Sequence, residues 1–249
     1  WIGTYGRGLD RLDQKTNTFT HFIKGDSSNQ LNNEAVYAVM EDSKGKVWIG
    51  TNGGGVNVLD QHTGIIKKYT TDVNNMHSVS GNYIRAFAED TVGNIWICTT
   101  SGLSVFDPHT NKISRFDENF HQLESGTINF LYIDADNIYI GTSGGGLSIL
   151  NKRSKKLITY TPGDGLPDNT IKSIVPDHQG NIWLSTNNGI GRFNLKTKKC
   201  KKYTFFNGIQ SSEFYDNAGL LTKDGEILFG GVSGFNGFYP DTLAENSNL

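Results

Sequence analysis

The chain has little of what marks a catalytic, disulfide-framed or nucleic-acid-binding protein. Of its 249 residues only two are cysteine, five proline and two methionine. Cys98 and Cys200 cannot make a disulfide framework. Each stands where a small or apolar filler is expected: Cys98 where other parts of the chain carry Gly or Ser, Cys200 where Phe19, Ile66, Ile113 and Leu157 recur. A formal net charge of −2, with 19% charged residues, leaves no electrostatic footprint for nucleic acid or an anionic membrane. No run approaches the roughly 18 apolar residues of a membrane span. The six histidines include no pair at metal-ligand spacing, and no Gly-x-Ser-x-Gly nucleophile elbow occurs. No catalytic residue, no metal site and no cofactor is therefore expected.

What the chain does have is thirty glycines and a repeat. Trp48-Ile49-Gly50-Thr51 returns as Trp1-Ile2-Gly3-Thr4, Trp96-Ile97-Cys98-Thr99, Tyr139-Ile140-Gly141-Thr142 and Trp183-Leu184-Ser185-Thr186, with a worn copy at Leu228-Phe229-Gly230-Gly231. A period in the mid-forties identifies a repeat architecture. A polar turn such as Asp42-Ser43-Lys44-Gly45 precedes each copy, and a Gly-containing bend with a short apolar run such as Val56-Asn57-Val58-Leu59 follows it. A last run then ends on Phe22, Tyr69, Phe116, Tyr160 or Tyr203. These runs are short, β-branched and aromatic, and bounded by Asp, Asn and Gly, which predicts strands and hairpins rather than helices.

Each repeat thus supplies four antiparallel strands, A to D, in the second repeat Val36–Glu41, Val47–Thr51, Val56–Leu59 and Ile65–Tyr69. The expected fold is all-β, a β-propeller of four-stranded blades. The strand-B aromatic is expected to fill the space between neighbouring blades. The blade units are 1–22 (partial), 35–69, 84–116, 128–160, 171–203 and 218–239 (partial), with a polar linker at 241–249. Strand A of the first unit and strand D of the last are absent. Five to six blades are therefore expected, either closed imperfectly or as an arc of a seven- or eight-bladed propeller within a longer polypeptide, the seven-bladed ring being the first choice.

Two tempting motifs have plainer readings. Gly53-Gly54-Gly55 and Gly144-Gly145-Gly146 precede strands, not the helix that a phosphate loop needs. The Asp-x-x-Gly-x-x-Trp turns, such as Asp90 to Trp96, resemble the Asp box of sialidases without its opening Ser, and an Asx-type turn accounts for them. One constellation carries more. Near the start of each strand A stand Tyr37, Arg85, Asn129, Lys172 and Asn217, flanked on both sides mostly by apolar or small residues. Alternation turns these polar side chains away from the packed face, towards the mouth of a central channel on the long-loop side. They either solvate a water-filled channel or bind a polar ligand. Solvation is the plainer reading, and their differing chemistries, which solvation does not require, keep the ligand open as the alternative. Tyr5 and Arg7, in the first B–C bend, are secondary candidates. Arg85 and Lys172 tilt the expected ligand towards an anionic one.

With the repeat laid out, Glu41-Asp42-Ser43-Lys44-Gly45-Lys46-Val47-Trp48-Ile49-Gly50-Thr51, its counterpart from Glu89 to Thr99, the linker Gly163-Asp164-Gly165-Leu166-Pro167 and the closing stretch from Phe229 to Pro240 resemble the two-component regulator propeller repeat. The resemblance covers residues 1 to about 240. It implies a non-catalytic periplasmic sensor domain of a Bacteroides-type hybrid histidine kinase. Its partners would be an oligosaccharide, the other domains of the same sensor and, through the full-length protein, a second copy. Two alternatives stay open: a propeller enzyme such as a polysaccharide or lactone-type lyase, and a protein-interaction scaffold.

Overall fold

The computed structural model describes residues 1–116, 123 and 126–243. The described residues form twenty-two strands and three single-turn 3-10 helices at Pro162–Asp164, Phe205–Asn207 and Pro240–Thr242, with no α-helix. The fold is an all-β propeller of six antiparallel sheets with three or four strands each. The chain divides into two compact units, Trp1–Asn137 and Ile138–Leu249.

The first unit holds β1 (Ile2–Thr4), β2 (Gly8–Asp13) and β3 (Thr18–Phe22); β4 (Val36–Glu41), β5 (Lys46–Thr51), β6 (Val56–Asp60) and β7 (Ile66–Tyr69); β8 (Ile84–Glu89), β9 (Ile95–Thr99), β10 (Gly102–Asp107) and β11 (Lys112–Arg115); and β12 (Ile128–Ile133). The second holds β13 (Asn137–Thr142), β14 (Leu147–Asn151) and β15 (Leu157–Tyr160); β16 (Ile171–Pro176), β17 (Asn181–Thr186), β18 (Gly189–Asn194) and β19 (Cys200–Tyr203); and β20 (Phe214–Leu221), β21 (Ile227–Gly231) and β22 (Gly234–Phe238). Within each sheet the strands lie side by side in chain order. The strands expected for the second repeat match β4 to β7 to within a residue at each end.

The repeated residues each do one job. The Thr that ends the strand-B run donates its hydroxyl to the carbonyl of the glycine at or just before the start of strand C: Thr4 to Gly8, Thr51 to Gly55, Thr99 to Gly102, Thr142 to Gly146 and Thr186 to Gly189. Gly55 takes a φ of 79°, and a side chain there would strike the carbonyl oxygen of Tyr69. That backbone conformation and that contact both require glycine. The third position of the tetrapeptide is small for a different reason. A Cβ on Gly50 would come 2.5 Å from Ile84 Cγ2 and 3.1 Å from Phe87 of the next sheet, and one on Gly141 would come 2.9 Å from Ile171. Cys98, fully buried and free, fills the same position in the third repeat, and its burial pushes the thiol above its ordinary range. Cys200 is also free, and burial pushes it up to about 12.

The aromatics lie where the sheets face one another. In the first unit Trp48, 1% exposed, packs against Phe87 and Phe106 of the following sheet, with ring centroids 6.1 and 5.0 Å away. In the second, Trp183 meets Phe238 of the following sheet at 4.7 Å and Tyr203 of its own at 5.4 Å. A buried indole also needs an acceptor for its N–H. The turn aspartate six residues earlier provides it. Trp48 Nε1 donates to Asp42 Oδ2 at 2.8 Å, Trp96 to Asp90 at 3.0 Å and Trp183 to Asp177 at 2.9 Å. The other oxygen of each aspartate accepts backbone N–H groups of its own turn, from Lys44 and Lys46, Val92 and Asn94, or Gln179 and Asn181. One carboxylate therefore shapes the hairpin and satisfies the core indole.

The long linkers are tied down by side chains from the sheets. Buried Asn57 accepts from the backbone N–H of Asn32 and donates to its Oδ1. The Arg115 guanidinium reaches Thr71, the Asp72 carbonyl and the Ser78 hydroxyl, holding the loop between β7 and β8. Two boundaries differ from expectation. The sixth repeat begins at Phe214 rather than 218, because a wide irregularity lets Phe214 pair with Gly231 before regular pairing resumes at Gly219. The polar tail begins with the Pro240–Thr242 turn, and its residues 244–249 lie outside the described residues. Most of the linker at 117–127 lies outside them too.

Two outcomes are expected. Trp48→Ala lowers unfolding stability by about 3–5 kcal/mol, and Asp42→Ala, which strands the indole N–H, lowers it by about 1–3 kcal/mol; urea titration of both variants checks this. The second concerns pH. Burial raises the Asp90 carboxyl, but the Trp96 indole and the Asn94 N–H groups outweigh it and hold it below the ordinary carboxylate range. A depressed native value means that the stabilisation is complete above the unfolded value of about 3.9 and is lost as pH falls through the native one. Stability of the wild type should fall more steeply below pH about 4 than that of Asp90→Asn in denaturant series at stepped pH.

Candidate functional site

The candidate positions share a backbone feature that a residue count does not reveal. In the first unit Val36 pairs with Thr51 and Ala38 with Gly50, so Tyr37 is the extra residue of a β-bulge. Ile84 pairs with Thr99 and Ala86 with Cys98, which makes Arg85 the extra residue in the next sheet. In the second unit Ile171 pairs with Thr186 and Ser173 with Ser185, leaving Lys172 in the same position. Asn217 lies within the wider irregularity of β20 and adopts a left-handed φ of 57°. A bulged residue leaves the ladder, and its side chain is re-aimed, which is why bulges gather beside functional sites.

In the first unit the structure brings Tyr37 and Arg85 together, with the guanidinium carbon 5.0 Å from the centre of the Tyr37 ring. That is cation–π distance, and it presents the guanidinium as a pre-positioned fork. Asn129 follows Ile128 in β12 but is only 3% exposed, so it is a buried polar residue rather than an open one. Tyr5 is 75% exposed, and its hydroxyl accepts from Asn52 Nδ2 at 2.9 Å. Its backbone bridges to Ala35, two residues before Tyr37. Arg7 is exposed in the same bend, its backbone N–H on Thr4 Oγ1.

Sequence reasoning missed Tyr83 and Asn52. Tyr83 is half exposed, at 52%, immediately before the Ile84-Arg85 bulge. Its backbone bridges to Asn52, and its ring lies over the Gly53 bend, 3.6 Å from where a Cβ would stand. Tyr5, Asn52 and Tyr83 thus form a ridge of two exposed phenol rings about one amide, at the same strand ends as Tyr37 and Arg85. A readable signal existed: the position of Tyr83 is occupied by Ala35, Thr127, Thr170 and Glu213 in the other repeats.

In the second unit Lys172 is already engaged. Its ammonium lies 3.1 Å from Asp216 Oδ1, and both side chains are largely buried. Lys172, expected as a point charge for a ligand, thus shares its charge with Asp216, which the wide bulge of β20 turns towards it. The second unit also presents Phe205 and Phe206, the latter 97% exposed, in the 3-10 turn Phe205–Asn207. The matching turn at Pro162–Asp164 has the same Thr cap and the same left-handed glycine but carries Pro-Gly in place of the two rings.

The other titratable groups are accounted for locally. His21 Nδ1 lies 2.7 Å from Asp10. His62 and His109 sit in turns where hydrogen bonds hold the turn aspartate below the ordinary carboxylate range: the backbone N–H groups of Thr63 and His62 on Asp60, and the backbone N–H of His109 with the hydroxyl and N–H of Thr110 on Asp107. Among the described residues no group of three or more His, Cys, Asp or Glu side chains is placed to hold a metal ion. Nor is any helix of the described residues long and apolar enough to cross a membrane.

Comparison with known proteins agrees with the architecture. A family model described as two component regulator propeller matches residues 30–53, 78–101 and 165–188. A histidine kinase of Formosa agariphila is 26% identical over 99% of the chain, which spans only 18% of that kinase. Two crystal structures of extracellular domains of putative hybrid two component systems from B. thetaiotaomicron superpose well. One gives a TM-score of 0.81 at 21% identity over 98% of this chain and 33% of that one. The other gives 0.72 at 25% identity over 94% and 31%.

The Lys172–Asp216 pair generates a prediction. Lys172→Ala leaves a largely buried carboxylate without its cation and should lower stability by about 1.5–3 kcal/mol. Denaturant titration measures it, and Asp216→Asn combined with Lys172→Met should recover part of the loss.

Proposed function

Because the chain carries repeats of the two-component regulator propeller family, we propose that it is the non-catalytic, ligand-reading part of a hybrid two-component sensor and that its signal is a glycan fragment. The observation that carries the reading is the Tyr5–Asn52–Tyr83 ridge beside the Tyr37–Arg85 pair. A sugar offers an apolar C–H face and a rim of hydroxyls. An exposed phenol ring covers such a face and keeps a polar tip, and an amide donates and accepts at once. Arg85 adds a planar cation that can fork onto a carboxylate or sulfate on the sugar. These groups suit holding rather than proton transfer, since a guanidinium cannot be deprotonated in a protein. Relatives described as extracellular domains support placement outside the cytoplasm, which in a two-membrane bacterium is the periplasm. The remaining domains of the same polypeptide would pass on the signal, with a second copy as partner.

Calorimetry against a panel of neutral, uronate-bearing and sulfated oligosaccharides tests the reading. At least one should bind. Tyr83→Ala and Arg85→Ala should each weaken it about tenfold or more, since a hydrogen bond to a charged group contributes roughly 1.5–3 kcal/mol. Lys172→Ala should leave the affinity unchanged. Affinity unaltered in both Tyr83→Ala and Arg85→Ala places binding elsewhere.

A further inference from the structure

The first unit has a second concave site at the opposite strand ends from the ridge. It is a groove of about 400 Å³ between the second and third sheets. Trp48, Val58, Tyr69 and Phe106 form its floor, Ile65 and Pro108 its apolar wall, and Lys44, Lys46 and Lys67 its rim. Two carboxylates also line it, and both are occupied by their own turns. Asp42 takes the Trp48 indole and two backbone N–H groups, and Asp60 takes the N–H groups of His62 and Thr63. Among the described residues no carboxylate lies within ion-pair distance of any of the three lysine ammoniums. Lys67 Nζ is instead held 4.9 Å over the Tyr69 ring.

The repeat provides an internal control for what the fold itself needs here. The residue equivalent to Lys46 is Asn94 in the third repeat and Asn181 in the fifth, and each donates from Nδ2 to its turn aspartate. Lys46 gives up that hydrogen bond. Lys44 corresponds to Val92 and Gln179, and Lys67 to Ser114. The fifth repeat does hold Lys201 over Tyr203, at 5.6 Å, but with Gln179 and Asn181 on its turn the three cations do not coincide. The hairpin therefore forms without these lysines. Three ammoniums against two carboxylates leave the groove one net positive charge, and neither carboxylate is within ion-pair distance of a lysine.

We infer that this groove binds a small organic anion with a ring-sized apolar body: the carboxylate, sulfate or phosphate head lies among Lys44, Lys46 and Lys67, and the body lies against Ile65 and Pro108. A volume of about 400 Å³ falls within the range of small-molecule sites. A lysine ammonium held over an aromatic ring meets an anion with little further loss of side-chain freedom. The site is separate from the ridge, so it stands or falls independently of the proposed glycan reading.

Trp48 makes the groove observable. Its indole N–H gives one of four tryptophan side-chain resonances in a two-dimensional ¹H–¹⁵N spectrum, assigned by its loss in Trp48→Phe. Benzoate, phenyl sulfate and phenyl phosphate, which carry three heads on one ring, are titrated against the whole chain. Benzyl alcohol and inorganic phosphate serve as comparisons. At least one ring-borne anion should shift the Trp48 resonance saturably, leaving those of Trp96 and Trp183 in place. The head that does so identifies the anion class. Benzyl alcohol and inorganic phosphate should each bind at least tenfold more weakly. The triple variant K44Q/K46N/K67S, made of residues that the other repeats carry, should weaken the response at least tenfold. The single K46N variant should give an intermediate loss, and Arg85→Ala should have no effect. No saturable shift with any ring-borne anion overturns the inference. So does a response that survives in both lysine variants, or one in which inorganic phosphate binds as tightly as the ring-borne anions.

Discussion

A tryptophan can be buried between two sheets only if its indole N–H finds an acceptor there. In this protein the acceptor is the turn aspartate six residues upstream, and most of the repeat can be read as a consequence. The same carboxylate takes the N–H groups of its turn, so the hairpin between strands A and B and the core ring are fixed together. With the ring fixed, the next sheet packs close enough that the following positions must be small: Gly50 against Ile84, Gly141 against Ile171, and Cys98 where the third repeat departs. The threonine after it ties the chain back across the bend, and Gly55 passes beneath the Tyr69 carbonyl where no side chain fits.

Repetition also separates the residues the fold uses in each copy from those it does not, without recourse to other proteins. What recurs in each copy is explained by the hydrogen bonds and contacts above. What does not recur is left over: Tyr83 among Ala, Thr and Glu, the Phe205-Phe206 pair where the matching turn carries Pro-Gly, and Lys46 where two other turns place an asparagine that their aspartate uses. None of these residues improves the packing of its own repeat. Each leaves an aromatic ring or a cation in solvent that its equivalents do without.

The fold was legible because its determinants are local and repeated. Trp48, Gly50, Thr51 and Gly55 occupy fixed offsets, and strand limits in the second repeat follow from them. The site was legible in part. Counting from the strand-B aromatic located Tyr37, Arg85 and Lys172, but alternation alone did not reveal that each is the extra residue of a bulge. Pairing between distant residues was beyond reach. The wide bulge of β20 delivers Asp216 to Lys172, a pairing that no spacing in the sequence indicates. The same bulge moved the start of the sixth repeat to Phe214. Tyr83 was overlooked because it stands just outside the strand, where linker composition masks an exposed ring.

The bulge at the start of strand A has a consequence for how such a protein changes over generations. A residue within a ladder is constrained from both sides, because altering it disturbs a cross-strand partner and a packed face. A residue squeezed out of register has no residue opposite it in the ladder. Tyrosine, arginine and lysine stand there in successive copies while Val36, Ile84 and Ile171 beside them stay apolar. Duplication therefore multiplies not only the scaffold but also a set of positions at which the side chain can change while the ladder on either side stays intact. Lineages built from this repeat can vary the chemistry of those strand ends one codon at a time.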